Sequence, residues 1–262
     1  MLLYTIIYFM LKFSKKMLVI AIILLIISIA LFVFSIINII NWSKDNEVIN
    51  EELNYINEII NKEDTISSQK ENSAKESEKV INYNDLKKVN NDLVGWIKVN
   101  GTNIDYPYVQ AKNNEYYLTH SFKKNKNSAG WIFLDYRNSI DFTDKNNIIY
   151  GHARKDRSMF GSLRNILKSS WYKNPENHTI EISINDKKYY FKTFSVYHIK
   201  TENYYITTEF ESDSYFNEFI DKLKKRSIYN FKTEVSSNDK ILTLSTCHKT
   251  DEKIVLHAKL IK

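Results

Sequence analysis

KKYYFKTFSVYHI, residues 187–199, crowds aromatic and β-branched side chains together with no glycine or proline among them. Such a stretch fits a pleated, half-buried strand. Similar runs lie on both sides of it: AGWIFLDYR (129–137), NNIIYGH (146–152) and HTIEISI (178–184) before, KILTLSTC (240–247) and KIVLHAKLI (253–261) after. GWIKVNGTNIDYPYVQ (95–110) places β-formers on either side of Asn100-Gly101, a hairpin signal. Helical spacing shows only at Tyr215, Phe216, Phe219, Ile220 and Leu223, and around Met159–Leu167. Many short strands with a few inserted helices imply one mainly β domain, a closed β-barrel with peripheral helices, over residues 80–262.

Composition sets the limits. The chain has 262 residues, 43% hydrophobic and 14% aromatic, with 5 Gly and 2 Pro, which excludes general disorder and collagen-like repeats. Its net charge of +6 comes from Lys residues interleaved with Asp and Glu, the pattern of a solvated surface, so no nucleic-acid partner is expected. There is no C-x-x-C or H-E-x-x-H, and the six His are dispersed, so no metal site is expected either.

The first eighty residues read differently. MLVIAIILLIISIALFVFSIINII (17–40) carries no charge and is long enough to cross a bilayer. It is too long for the apolar part of a signal peptide, and no small-residue cleavage site follows it. Lys12, Lys15 and Lys16 precede it, while Asp45, Glu47, Glu51 and Glu52 follow. The positive-inside rule then makes 1–16 cytoplasmic, 17–40 a transmembrane anchor in contact with lipid, and the remainder extracellular. Residues 1–11 are apolar but too short to span, leaving an interfacial extension or a start at Met17 as the alternatives. Val48, Ile49, Leu53, Ile56, Ile59 and Ile60 follow helical spacing, and KEDTISSQKENSAKESEK (62–79) has the composition of a flexible stalk, so 41–79 reads as helix plus stalk.

Against this setting the single cysteine, Cys247, stands out. Outside a cell thiols normally pair, and one cysteine has no internal partner. It is either a small buried hydrophobe or a residue kept for its chemistry. A free thiol with a pKa near 8.5 is only about 3% ionised at pH 7, so a nucleophilic role needs a basic neighbour. His248 follows directly, but successive strand residues take opposite faces. His257 reads as a packed barrel residue. His152 closes a strand and opens the polar loop ARKDRSMFGSL, a common setting for catalytic groups.

LVGWIKVNGTNIDYPYVQAKNNEYYL (93–118), SAGWIFLDYRN (128–138), NNIIYGHARKDRSMFGSL (146–163) and ILTLSTC (241–247), in this order, resemble the class B sortases, membrane-anchored cysteine transpeptidases of Gram-positive bacteria. The resemblance covers roughly residues 80–262 and implies Cys247 as nucleophile and His152 as general acid/base. It further implies a substrate groove using Asn114, Leu118, Tyr150, Tyr205, Ile206 and Ser245, with no cofactor. The implied partners are surface proteins with a threonine-containing sorting signal, and an amine of a cell-wall precursor or pilin as acceptor. In one place the chain departs from the family. Sortases carry an Arg on the strand after the Cys, whereas EKIVLHAKL (252–260) has Lys253 there, a point charge on a flexible stem where the family has a planar fork. Two rival readings remain: a cysteine hydrolase that uses water, and an impaired sortase-like binding module.

Overall fold

The computed structural model describes residues 15–67, 81–185, 187–200, 202–247 and 252–262. The first fourteen residues, most of the expected stalk, and His248 lie outside the described residues. Two compact units are present, residues 1–48 and 49–262. Helix α1 (Lys15–Ser67) begins in the first. Its apolar residues from Met17 to Ile40 are exposed along the length, and it is the one described helix long and apolar enough to cross a membrane.

From Ile49 onward the same helix behaves as the amphipathic spacing requires. Ile49, Ile56, Ile59 and Ile60 are buried in the main core of the second unit. Glu52 is also buried; its carboxylate accepts from Ser121 Oγ at 2.7 Å and from the Lys123 backbone N–H at 3.1 Å. Lys123 Nζ in turn sits 4.2 Å from the Tyr55 ring centre. A carboxylate buried this deeply is tolerated because both of its oxygens find donors.

Eight strands close into a barrel in the order β1-β2-β3-β4-β7-β8-β6-β5. They are β1 (Leu93–Val99), β2 (Asp105–Val109), β3 (Phe133–Leu134), β4 (Asn146–His152), β5 (Thr179–Ile184), β6 (Lys187–Lys200), β7 (Ile241–Cys247) and β8 (Glu252–Leu260). Helices α2 (Tyr83–Val89), α3 (Ser169–Tyr172) and α4 (Asp213–Arg226) lie among them. The Asn100-Gly101 hairpin forms, with Gly101 at φ +71°, a conformation glycine adopts without strain. Two expectations shorten. The run 129–137 contributes only the two residues of β3, and the helical spacing after Met159 becomes a 3-10 helix, Phe160–Leu167.

Most pairs are antiparallel, but β2–β3 and β4–β7 are parallel. A parallel neighbour needs a long crossover, and here β5, β6 and α4 all intervene between β4 and β7. Period-two alternation sorts the side chains on β7 and β8. Leu242, Leu244, Leu256 and Ala258 join the main core, whereas Ile241 and Val255 join a second cluster with Phe216, Phe219, Ile220 and Leu223 of α4. Ser212 caps α4, its hydroxyl accepting from the Tyr215 N–H at 3.2 Å.

The buried isoleucines of α1 make a direct prediction. Their burial is worth about 1.5–3 kcal/mol each as an upper bound. A fragment starting at Asn82 is therefore expected to melt more than about 5 °C below one starting at Lys44. Equal melting temperatures by circular dichroism would show that the helix adds nothing to the barrel.

Candidate active site

β4 and β7 run in parallel and in register, and their final pair is His152 with Cys247. Adjacent strands lie about 4.8 Å apart, and register partners share a face of the sheet. The face is fixed by the residues before them: Tyr150 is paired with Ser245 and Ile148 with Thr243. On the other side of β7 the antiparallel register pairs Thr243 with His257 and Ser245 with Val255. Past Ser245–Val255, Thr246 Oγ1 accepts from the Ile254 backbone N–H at 2.9 Å. Lys253 is half-buried and pairs with Ile199 of β6 on its far side.

His152 is held by backbone. Its Nε2 lies 2.8 Å from the carbonyl oxygen of Leu118, which only accepts, so Nε2 carries the hydrogen. In that tautomer the second ring nitrogen, Nδ1, is the one through which the ring would exchange a proton. Gly130 makes room for this arrangement. At φ +60°, a Cβ there would stand 2.8 Å from His152 Cδ2 and 2.5 Å from the Tyr117 carbonyl oxygen.

Asp135 is fully buried and ties several groove candidates together. Its Oδ2 accepts from Asn114 Nδ2 at 3.0 Å and from Tyr150 Oη at 2.9 Å. Arg137 approaches as a fork, Nε at 2.8 Å from Oδ1 and Nη2 at 2.7 Å from Oδ2. The same Nη2 donates to the Ile206 carbonyl at 3.0 Å. Burial pushes the Asp135 carboxyl up, but the Arg137 side chain and backbone hydrogen bonds and Tyr150 outweigh it and hold it below its ordinary value. Tyr205 Oη and Ser245 Oγ are 3.0 Å apart, both residues buried.

Hydrogen bonds link the six candidates in smaller sets: the Leu118 carbonyl to His152, Asn114 and Tyr150 to Asp135, the Ile206 carbonyl to Arg137, and Tyr205 to Ser245. The sequence reading missed Asp135, Arg137 and Gly130. A lone acid inside the apolar run GWIFLDYR, two residues before an Arg, was the available signal for the first two. Arg154, in the loop after His152, is folded into that loop, with Nη2 2.8 Å from Asp156 and Nε 2.8 Å from Ser158 Oγ. Its side chain is only 8% exposed.

The Asp135 network predicts a specific acid response. Because its folded pKa lies below the unfolded value near 3.9, its contribution is present above that pH and is lost as pH falls through the folded value. Asp135→Asn should cost at least about 2 kcal/mol at pH 7, from charge-assisted bonds to Arg137. The difference from wild type should shrink below about pH 4 in denaturant titrations. A pH-independent difference would contradict an ionised Asp135.

Comparison with known proteins agrees with this geometry. The sortase domain family model matches residues 97–261. Sortase B of Listeria monocytogenes is 44% identical over 181 residues, 68% of this chain and 73% of that protein. Sortase B of Staphylococcus aureus is 40% identical over 186 residues, 69% and 75% of the two chains. Among solved structures, the Staphylococcus aureus sortase B–substrate complex superposes with a TM-score of 0.69 at 35% identity, covering 81% of this chain and 97% of that one. A Bacillus anthracis protein similar to sortase B gives 0.68 at 35% identity, with 84% and 97% covered. A closed barrel with a Cys and a His at adjacent strand ends, matched over this length, places the chain in the sortase family, among the class B cysteine transpeptidases.

Proposed function

We propose that Cys247 attacks the threonine carbonyl of a sorting signal, on surface proteins presented outside the membrane, and transfers the acyl group to an amine of a cell-wall precursor or a pilin. The in-register pairing of His152 with Cys247 carries this reading. The Cys247 thiol passes its proton to His152 Nδ1 as Sγ forms a bond to the carbonyl carbon, and the carbon–nitrogen bond breaks as that proton moves on to the departing amine. An incoming amine then attacks the thioacyl carbon and gives its proton to His152 Nδ1; the carbon–sulfur bond breaks, and that proton returns to Sγ. Leu118 keeps Nε2–H fixed through both steps, so proton traffic is confined to one ring nitrogen.

Lys253, on the strand after Cys247, supplies the positive charge that the family places there with Arg. An ammonium stabilises the developing oxyanion without the planar fork, and so with looser geometry. Asn114, Leu118, Tyr150, Tyr205, Ile206 and Ser245 line the peptide groove. The domains follow the same reading: 1–16 cytoplasmic, 17–40 in the bilayer, 41–79 an extracellular helix and stalk, and 80–262 the catalytic domain.

Kinetics with a fluorogenic sorting-signal peptide test these roles. Cys247→Ala should abolish turnover. His152→Ala should lose at least about 10²–10⁴-fold, the usual worth of a general acid/base. Lys253→Ala should lose less than the roughly 10²–10³-fold of a rigid oxyanion donor, and Lys253→Arg should hold or raise the rate. An unchanged kcat/KM in Lys253→Ala would remove that residue from the site. Product that stays hydrolysed when amine acceptors are added would favour the water-using hydrolase.

A further inference from the structure

Segment 204–207, which carries Tyr205 and Ile206, is tied to the barrel by a circuit of hydrogen bonds that begins and ends on it. Tyr204 Oη lies 3.1 Å from Tyr197 Oη, and Tyr197 Oη lies 2.7 Å from His257 Nε2. His257 Nδ1 is 2.8 Å from Thr243 Oγ1, which is 2.6 Å from Asn146 Oδ1. Asn146 Nδ2 then donates to the carbonyls of Tyr205 at 3.2 Å and Thr207 at 2.8 Å.

Every proton direction in this circuit is determined. The Asn146 amide faces two carbonyls, which only accept, so its Oδ1 is turned to Thr243 and Thr243 donates. With its one hydrogen used, the Thr243 hydroxyl accepts from His257 Nδ1–H. Nε2 is left with the lone pair and accepts from Tyr197, whose oxygen accepts from Tyr204. The scheme needs a neutral imidazole, and burial supplies one by pushing the His257 pKa down to about 3. Tyr197, Thr243, Asn146 and His257 are all buried. An aliphatic residue would fill the same space without any polar partner to satisfy, so a buried imidazole here is explained by what it holds in place.

We propose that His257 is a positioning residue: through Tyr197 on one side and Thr243–Asn146 on the other, it fixes the 204–207 wall beside Ser245 and so sets affinity for the sorting peptide. This rests on the reading that Tyr205 and Ile206 line the groove. His257 itself acts only through its neighbours.

The test uses the full-length chain in detergent, with the shape-conserving variants Tyr197→Phe and Thr243→Val, at a temperature where both are folded. Three quantities are read: hydrogen exchange of segment 202–210, KM and kcat for the peptide, and the alkylation rate of Cys247. Exchange and KM should each rise about fivefold, the worth of one net hydrogen bond, while kcat and alkylation stay within about twofold. A purely structural role would lower the melting temperature without this split. Unchanged exchange in both variants, with KM raised by Ile206→Ala, would overturn the circuit while keeping the groove. Faster exchange with unchanged KM would remove segment 204–207 from the groove and overturn the proposal.

Discussion

The parallel pairing of β4 with β7 is the constraint on which the site depends. Antiparallel neighbours would place the end of one strand beside the start of the other. Parallel neighbours in register bring two strand ends together, and here those ends are His152 and Cys247. Nearly ninety residues of crossover, including β5, β6 and α4, are required for this contact. The crossover is also used: its loop from β6 to α4 supplies Tyr205 and Ile206, and α4 covers the outer face of β7 and β8.

The chain solves one problem repeatedly, which is to hold a buried or half-buried polar group in one orientation. Glu52 meets a hydroxyl and a backbone amide, Asp135 meets Arg137, Tyr150 and Asn114, and His152 meets a backbone carbonyl. Each is a charged or polar group whose burial is offset by directed donors or acceptors. Polar groups held in this way are preorganised, the condition under which electrostatic catalysis is strongest.

Much of the barrel was legible because β6, β4, β7 and β8 owe their strand character to their own aromatic and β-branched residues. The helix after Glu47 was legible for the same reason, but its destination was not: Ile49 and Ile56 show spacing, and only the fold shows the core they enter. The short β3 was overestimated because apolar residues of 129–137 pack inside irregular loop as readily as in strand. In the candidate site, Cys247 and His152 were singled out from the sequence as candidates, and the groove candidates came from family resemblance. Asp135 and Arg137 were not, since Asp135 gathers partners separated by 21 residues on one side and 15 on the other. Local pattern carries no trace of such encounters. His257 was read as packing, and it does pack, but its two ring nitrogens are also both engaged.

The central claim is that Cys247 forms a thioacyl bond to the sorting signal. Intact-mass and peptide-mapping measurements on the full-length chain, mixed with a threonine-containing sorting peptide and no acceptor amine, test it most directly. The account predicts a mass gain equal to the peptide's N-terminal part through its threonine, carried on the fragment that contains Cys247 and removed by added amine. Peptide turnover with no adduct, or an adduct mapped to any other residue, would contradict it.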